Sequence, residues 1–216
     1  MSFDCLARHY RWLEFLLAGN KLQRCRTAYL PQLRSCRRIL LLGEGNGRFL
    51  VECRRAFPAA RVTCLDASPH MLARARRRLE RSRLPSDEME WIAADALTWQ
   101  PPRGEFDLVA THFFLDCFRP EQLSQLLGTV ASAVEPGGTW LLSDFRLPEH
   151  GPALWRAWCI HRSMYGFFRF VTRLPARRLT PPDAWLLRQG FVLRERRLSE
   201  WGLLHSDRWE LAGGRS

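Results

Sequence analysis

The fold is decided by the stretch RILLLGEGNG, which occupies residues 38–47. Residues 38–42 form a short, continuous apolar run, which is typical of a strand buried on both faces of a parallel sheet. Glycines then alternate with polar residues, and glycine lets the backbone turn tightly and approach a ligand closely. Residues 47–57 follow the period of a helix, which Pro58 ends. The stretch therefore predicts a strand, a glycine-rich turn and a helix.

The same alternation of strand and helix continues along the chain. Ser68 and Pro69 have the residue types of a helix N-cap and first helical position. Further strands are predicted at 61–66, 90–93, 106–111 and 139–145, and further helices at 69–82 and 120–134. The strands are continuously apolar rather than alternating. This pattern predicts an α/β fold with a parallel sheet that has helices on both faces.

The flanking segments complete the predicted architecture. Residues 1–36 have helical periodicity and are predicted to form an N-terminal helical cap of two helices, divided at Gly19-Asn20, with the second ending near Pro31. Residues 37–216 form the main domain, with an aromatic-rich helical insertion at about 150–178. A helix opened by Pro181-Pro182 and ended by Gly190 then leads to two closing strands, 191–198 and 203–211. The predicted fold is a Rossmann-like, doubly wound, mostly parallel seven-stranded sheet with a helical insertion after strand five.

Composition limits the functional classes. Residues 1–10 lack the apolar centre of a signal peptide, and no run of about 18 apolar residues occurs, so a cytoplasmic protein is expected. The seven cysteines are scattered without a C-x-x-C pair, which predicts reduced thiols and no metal site. The net charge is +11, and Lys21 is the only lysine among 33 basic residues. This excess of arginine is compatible with an anionic partner or with a GC-rich genome.

Three elements are predicted at the carboxyl ends of the strands, where a doubly wound sheet binds nucleotides. The first is the glycine turn of Gly43, Gly45 and Gly47, whose spacing differs from the G-x-G-x-x-G fingerprint of dinucleotide sites. The second is Asp66, whose carboxylate can accept both hydroxyls of a ribose or cap a helix. The third is Asp95, which either reads an adenine edge or belongs to a simple turn.

These motifs, in this order, resemble the class I S-adenosylmethionine (SAM)-dependent methyltransferases. Residues 40–49 look like motif I of that superfamily, and residues 62–72 look like its "vtglD-x-S-x-x-M-l" segment. Residues 106–109 resemble its "FDlV" strand, and residues 135–142 its "kPGG" strand entry. The opening FDCLARHY, residues 3–10, is similar to the start of the UbiE-like ubiquinone and menaquinone C-methyltransferases, whereas their further Asn, Ser, His and Trp signature is not matched.

The resemblance implies a cofactor, SAM, and a set of residues that bind it. Gly43, Gly45 and Gly47 would pass under its methionine part, Asp66 would bind the ribose, and Asp95 the adenine amine. Ala67 and Ala96 would flank the adenine ring, Tyr10 would lie near the carboxylate, and Thr111 would line the site. The superfamily usually has an acid two residues before the first glycine, where this chain has Leu41; Glu44 is the residue that replaces it near the SAM ammonium.

The segment after strand four supplies the candidate catalytic residues. His112 is a candidate general base because imidazole titrates near neutrality, and its alternative is a hydrogen-bonded wall residue. Asp116 either orients His112, binds a cationic acceptor or caps a helix. Candidate substrate residues lie in the insertion, namely His161, Arg162 and Tyr165. The surrounding aromatic rings suit a flat or greasy acceptor, or they pack the insertion onto the sheet.

The predicted function is methyl transfer from SAM to a small-molecule or lipid-like acceptor, such as a quinone, an aromatic metabolite or an amine. Peripheral contact with an anionic membrane is part of this hypothesis. The alternatives are an RNA or protein methyltransferase, an aminopropyltransferase and a non-catalytic SAM-binding partner subunit. No N-P-P-Y-type motif or RNA-binding module is present, so nucleic acid is not favoured as a partner. The sequence fixes neither the acceptor nor the oligomeric state.

Overall fold

The computed structural model describes residues 19–146 and 180–213. Helices in these ranges are α1 (Gly19–Thr27), α2 (Arg48–Ala56), α3 (Pro69–Arg81), α4 (Pro120–Ala133) and α5 (Asp183–Arg188). The strands are β1 (Arg38–Leu42), β2 (Arg61–Asp66), β3 (Met89–Ala93), β4 (Phe106–His112), β5 (Val134–Phe145), β6 (Phe191–Ser199) and β7 (Leu204–Leu211). Short 3-10 turns occupy Leu30–Gln32, Leu115–Cys117 and Glu200–Gly202.

The strands form one seven-stranded sheet in the order β3-β2-β1-β4-β5-β7-β6. Strands β1 to β5 are parallel, and β7 runs antiparallel to both β5 and β6. This arrangement confirms the predicted α/β, mostly parallel fold. The chain runs from β1 through β2 to β3 at one edge of the sheet and then returns to β4, which lies beside β1. The connection after β1 therefore leads toward one edge, and the connection after β4 leads toward the other. A crevice at the carboxyl ends of these two strands is the usual ligand position in such sheets.

Each face of the sheet has its own buried core. On one face, α4 and α5 pack over a cluster that includes Trp140, Trp209 and Leu127. On the other, α2 and α3 pack over a cluster that includes Phe49 and Leu79. Alternate residues of each central strand contribute to opposite clusters, which explains the continuously apolar strand sequences.

Helix α1 is attached to the carboxyl end of the sheet by hydrogen bonds. The hydroxyls of Ser143 on β5 and Ser206 on β7 each donate to the carbonyl oxygen of Cys25, at 3.0 Å. The Tyr29 hydroxyl donates to the Ser206 carbonyl at 3.1 Å. These contacts hold one turn of α1 beside the exits of β4 and β5.

The structure corrects the predicted boundaries near the N-terminus and at β5. The second N-terminal helix was expected to end near Pro31, but α1 ends at Thr27, and Pro31 lies in a 3-10 turn because its ring restricts the preceding residue and it lacks an N–H. Gly19 and Asn20 lie within α1. Strand β5 begins at Val134 instead of residue 139, because Val134 pairs with Phe106 ahead of an irregularity in the register.

Several predicted residues lie outside the described ranges. These are Tyr10 and the first part of the helical cap, and His161, Arg162 and Tyr165 of the insertion. Within residues 19–146 and 180–213, no helix is both long enough and apolar enough to cross a membrane.

Candidate active site

The glycine turn has the backbone conformation that its sequence predicts. Gly43, Gly45 and Gly47 have φ values of +63°, +66° and +79°, a region that favours glycine. A Cβ at Gly47 would lie 2.7 Å from the Ala75 Cα, so this glycine allows α2 and α3 to approach. A Cβ at Gly45 would meet no protein atom within 4 Å, so the turn presents open backbone at the crevice.

Asp66 joins the end of β2 to the glycine turn. Its Oδ2 accepts a hydrogen bond from the Gly45 N–H at 3.3 Å, and its Oδ1 accepts one from the Ser68 N–H at 2.9 Å. Burial raises the pKa of the carboxyl above its usual value, while the two N–H donors act in the opposite direction. Ser68 caps α3 through its own hydroxyl, which accepts from the Met71 N–H. Helix capping is therefore done by Ser68, and the Asp66 carboxylate lies at the crevice.

Glu44 points toward the start of α2. Its Oε1 accepts hydrogen bonds from the N–H groups of Phe49 and Leu50, at 2.9 and 3.0 Å. Helix N-termini favour carboxylates because their first N–H groups have no partner within the helix. Burial nevertheless raises the pKa of Glu44 to about 7, and the nearby Arg26 partly offsets this. One oxygen of Glu44 is therefore committed to the helix, and its contact with the SAM ammonium stays a prediction.

The residues predicted to hold adenine lie together at the ends of β2 and β3. Asp95 is exposed, and its Oδ1 accepts from the Leu97 N–H at 2.9 Å. This is the hydrogen bond of a simple turn aspartate, the alternative role considered above. Ala67 is exposed, whereas Ala96 is packed into the core. The Asp66 carbonyl accepts from the Ala94 N–H at 3.3 Å, which fixes the two strand ends relative to each other.

Thr111 and His112 end β4 and point to opposite faces of the sheet. The Thr111 hydroxyl accepts from the Trp140 indole N–H at 2.9 Å and is fully buried. This contact argues against a cofactor role for the Thr111 side chain, because its position inside the core leaves no surface for a ligand. His112 points to the α2 face, where its ring makes an edge contact with Phe49 at 4.4 Å between centroids.

The environment of His112 does not suit a general base. Burial, reinforced by the positive charge of Arg26, lowers its pKa to about 3. An imidazole with so low a pKa holds a transferred proton poorly near neutrality. The catalytic role of His112 stays a prediction, and its burial beneath α1 was not evident from the sequence.

Asp116 belongs to a pair of buried carboxyl groups that the sequence analysis did not identify. Its partner is Asp144, near the carboxyl end of β5 and only 5% exposed. Asp144 accepts from the Asp116 N–H through Oδ2, at 3.2 Å, and from the Phe145 N–H through Oδ1, at 2.8 Å. Burial raises the pKa of both carboxyls, and the negative charge of Asp116 raises that of Asp144 further. Asp144, like Asp66, lies at the end of a strand, and this position in the sequence could have identified it as a candidate site residue.

Arg26 is a second buried polar residue to which the sequence analysis gave no role. It lies on the buried face of α1 and is 8% exposed. Its guanidinium stands over the Phe113 ring, 5.1 Å from the centroid, and Phe113 itself has a left-handed backbone with φ of +55°. Arg26 lies about one helical turn after Leu22, which is also buried. An arginine at a core position of an amphipathic helix was therefore the signal.

Comparisons with known proteins agree with this geometry. Residues 39–138 match a family model described as a methyltransferase domain. Demethylmenaquinone methyltransferase of Thermus thermophilus is 33% identical over 151 residues, which cover 69% of this chain and 66% of that protein. Carboxy-S-adenosyl-L-methionine synthase of Erwinia tasmaniensis is 34% identical over 105 residues, which cover 48% of this chain and 42% of that protein.

A solved structure shows the same fold. The 1,6-didemethyltoxoflavin-N1-methyltransferase of Burkholderia thailandensis, with bound substrate and S-adenosylhomocysteine, superposes with a TM-score of 0.68 at 15% identity. The alignment covers 97% of this chain and 86% of that one. At this identity the likeness concerns the fold alone.

The fold is Rossmann-like, and residues 39–138 match the methyltransferase-domain model. The chain belongs to the class I SAM-dependent methyltransferase superfamily. The alignments span 66% and 42% of the two curated relatives described above, which is less than two thirds of their length.

Proposed function

We propose that this protein transfers the methyl group of SAM to a small-molecule acceptor. The observation that carries the proposal is the 3.3 Å hydrogen bond from the Gly45 N–H to Asp66, which joins the glycine turn after β1 to the carboxyl end of the neighbouring strand β2. Family membership supports the choice of SAM over other nucleotides.

The described residues fit this cofactor. The open backbone at Gly45 has room for a ligand, which would lie where a side chain would otherwise be. Asp66 offers carboxylate oxygens to the ribose hydroxyls after exchanging its bond to the Gly45 N–H, and Asp95 lies beside it for the adenine amine. When bound, SAM supplies a methyl group that is already activated by the sulfonium, so the protein's main task is positioning.

On the acceptor side, we propose that Asp116 and Asp144 handle the proton of the acceptor. Their raised pKa values mean that the pair retains a proton at a pH where an exposed carboxylate would have lost it. The carboxylate of the pair that remains ionised is a stronger base because its pKa is raised, and it can take a proton from an attacking amine, phenol or carbon acid. In this proposal the carboxyl pair takes the role of base that the sequence analysis gave to His112.

The acceptor classes that we propose are a flat aromatic, an amine or a quinone-like lipid. The Thermus thermophilus relative is by its name a demethylmenaquinone methyltransferase, which supports the quinone-like class. Peripheral contact with an anionic membrane is part of the lipid-like alternative. In the described chain, α3 carries five arginines and a single acid within Pro69–Arg81, which gives this helix a strongly basic outer surface.

Calorimetric titration with SAM tests the cofactor assignment. The native protein is expected to bind SAM, and Asp66→Ala is expected to weaken binding roughly a hundredfold, because charge-assisted hydrogen bonds to the ribose are lost. Asp87→Ala, which removes an exposed carboxylate from a loop, is the matched control and should bind as the native protein does. Absence of binding to the folded native protein would overturn the proposal and favour a non-catalytic role.

A further inference from the structure

A polar cleft lies at the end of the sheet opposite the candidate active site, where β1 and β4 begin. Its walls are the segment before β1 (residues 32–37), the glycine turn within β5 and the outer part of β7. The cleft has a volume of about 610 Å³, within the range of roughly 300–1,000 Å³ that is usual for small-molecule sites. None of the residues assigned above to the cofactor or the acceptor lines it.

Arg208 of β7 lines this cleft with a buried donor that has no partner. Its Nε is buried without a hydrogen bond, and no ion pair of Arg208 occurs within residues 19–146 and 180–213. Glu195 lies opposite it on β6, but the Glu195 Oε1 is paired with Nη2 of Arg197 at 3.3 Å. A buried donor without a partner costs on the order of 1–3 kcal/mol, so it indicates a ligand position.

The other charges of the cleft favour an anionic ligand. Arg34 and Arg37 add two exposed guanidinium groups. Both oxygens of Asp107 accept backbone N–H groups, from Arg37 at 2.6 Å and from Arg38 at 3.1 Å. This carboxylate therefore holds the segment before β1 in place and is not free to bind a cation. Glu135 is the other acid of the lining, so three arginines outnumber two carboxylates.

The glycine turn within β5 leaves space at the wall of the cleft. Gly137 has a φ of +82°, and a Cβ at this position would meet no protein atom within 4 Å. Ser35 and Thr139 also line the cleft, and their hydroxyls are further possible donors. The cleft therefore has room for an organic body beside a single charged group.

We infer that this cleft binds a small molecule through a phosphate or carboxylate group, which pairs with the guanidinium of Arg208. Arginine suits both oxyanions, because its planar N–H donors form two parallel hydrogen bonds to their oxygens. The bound anion satisfies the buried donor of Arg208 and links β7 to the segment before β1. The site is separate from the cofactor and acceptor positions, so the inference goes beyond the proposed function and does not depend on it.

Calorimetric titration with pyrophosphate and with citrate, at constant ionic strength, tests the inference and distinguishes the two oxyanions. The native protein is expected to bind at least one of them saturably, with one anion per chain. Arg208→Met should lose roughly ten- to a hundredfold in affinity, because charge-assisted hydrogen bonds are lost. Arg77→Met, which removes an exposed arginine of α3 outside the cleft, is the matched control and should bind as the native protein does.

A second pair of variants changes the space in the cleft and leaves its charge unaltered. Gly137→Asn places a side chain at the wall, and asparagine tolerates a left-handed backbone better than most residues. Gly104 has a φ of +59° and the same open surroundings but lies outside the cleft, so Gly104→Asn is the control. Gly137→Asn should weaken anion binding by roughly fivefold or more, and Gly104→Asn should not.

Absence of saturable binding of both anions to the native protein would overturn the inference. Undiminished affinity of folded Arg208→Met, or an equal loss in Arg77→Met, would overturn it as well, because the anion would then respond only to the basic surface. If Arg208→Met fails to fold by circular dichroism, the comparison of Gly137→Asn with Gly104→Asn decides the question. Affinity for S-adenosylhomocysteine, measured in parallel, should be the same in all folded variants; its absence in the native protein would count against the proposed function alone.

Discussion

Two buried polar clusters flank the exit of β4, one on each face of the sheet, and they have opposite charge. On the α1 face, Arg26 and His112 present N–H donors that lack partners. On the α4 face, both Asp144 oxygens accept backbone N–H groups, and Asp116 contributes a second carboxyl. The donors are unsatisfied, whereas the Asp144 acceptors are satisfied.

This difference in hydrogen bonding suggests different roles for the two clusters. Nη1 of Arg26 and the ring nitrogens of His112 lack hydrogen-bond partners among the described residues, so the α1 side offers free polar atoms. Both Asp144 oxygens already accept backbone N–H groups, and the raised pKa values of the pair favour proton exchange, so the proposal assigns the α4 side to the acceptor.

The largest effect is expected from Asp116→Asn, which removes one carboxyl of the pair. Methyl transfer from labelled SAM into the acceptor fraction of a cell extract should fall by about 10²-fold or more, as for loss of a general base. Affinity for S-adenosylhomocysteine should change by less than about threefold, because the proposal places this residue on the acceptor side. Asp87→Asn serves as control, and undiminished transfer by Asp116→Asn would remove the carboxyl pair from the reaction.

The glycine turn between the two clusters is tested by a matched pair of alanine variants. Gly45 and Gly104 both have left-handed backbones, with φ of +66° and +59°, and a Cβ at either would meet no protein atom within 4 Å. Both substitutions should therefore cost a similar 1–2 kcal/mol of stability, about the usual strain. Only Gly45→Ala should weaken S-adenosylhomocysteine binding, by roughly tenfold, as measured by calorimetry; equal affinity in both variants would argue against ligand contact at this turn.

A third prediction concerns the basic surface of α3, which lies apart from both clusters. Native protein should be retained by vesicles that contain phosphatidylserine at low salt and released by added salt. Replacing the exposed Arg77 and Arg81 by glutamine should weaken retention by roughly fivefold to tenfold. Arg34→Gln with Arg103→Gln makes the same change in net charge elsewhere on the surface. If the two double variants reduced vesicle retention equally, net charge alone would account for the binding.

The smallest effect is expected for Glu44, which lies between the clusters. Its pKa is raised from an ordinary 4.5 to about 7, so the folded state prefers the protonated form. The stability from this preference is present below pH 4.5 and is lost as the pH rises through 7. Glu44→Gln keeps the oxygen that caps α2 and should raise the free energy of unfolding by about 1 kcal/mol at pH 8, after allowance for partial exposure, and by little at pH 4.5.

Urea denaturation of the ligand-free protein at the two pH values measures this difference. Glu88→Gln, at an exposed position, is the control and should show no pH-dependent gain. A constant difference between Glu44→Gln and the native protein at both pH values would show that the charge of Glu44 is not the cause.

Most of the fold was predictable because it follows from local patterns. The five parallel strands and the helices between them occur within a few residues of their predicted positions, since apolar runs, proline and glycine act over short distances. The end of α1 at Thr27 was not predicted, because the apolar period of Tyr29 and Leu33 continues past the helix into packed but non-helical backbone.

The residues of the candidate site also fall into those that the sequence predicted and those that it did not. Gly45, Asp66 and Ser68 were found from their order in the sequence, and the structure places them in contact. Arg26 and Asp144 were missed because they are far apart in sequence and become significant only when α1 and β5 meet at the end of β4. The lowered pKa of the buried His112 could not be foreseen for the same reason.

The sequence by itself therefore determined the alternating architecture, the left-handed glycine turn and the carboxylate at the end of β2, since each depends on the backbone preferences of neighbouring residues. Only the tertiary structure decided which side chains are buried together and with what partners. Burial changes the pKa of His112, Glu44 and the aspartate pair, and packing leaves the donors of Arg26 unsatisfied. These are properties of the surroundings of a residue, which are assembled from distant parts of the chain.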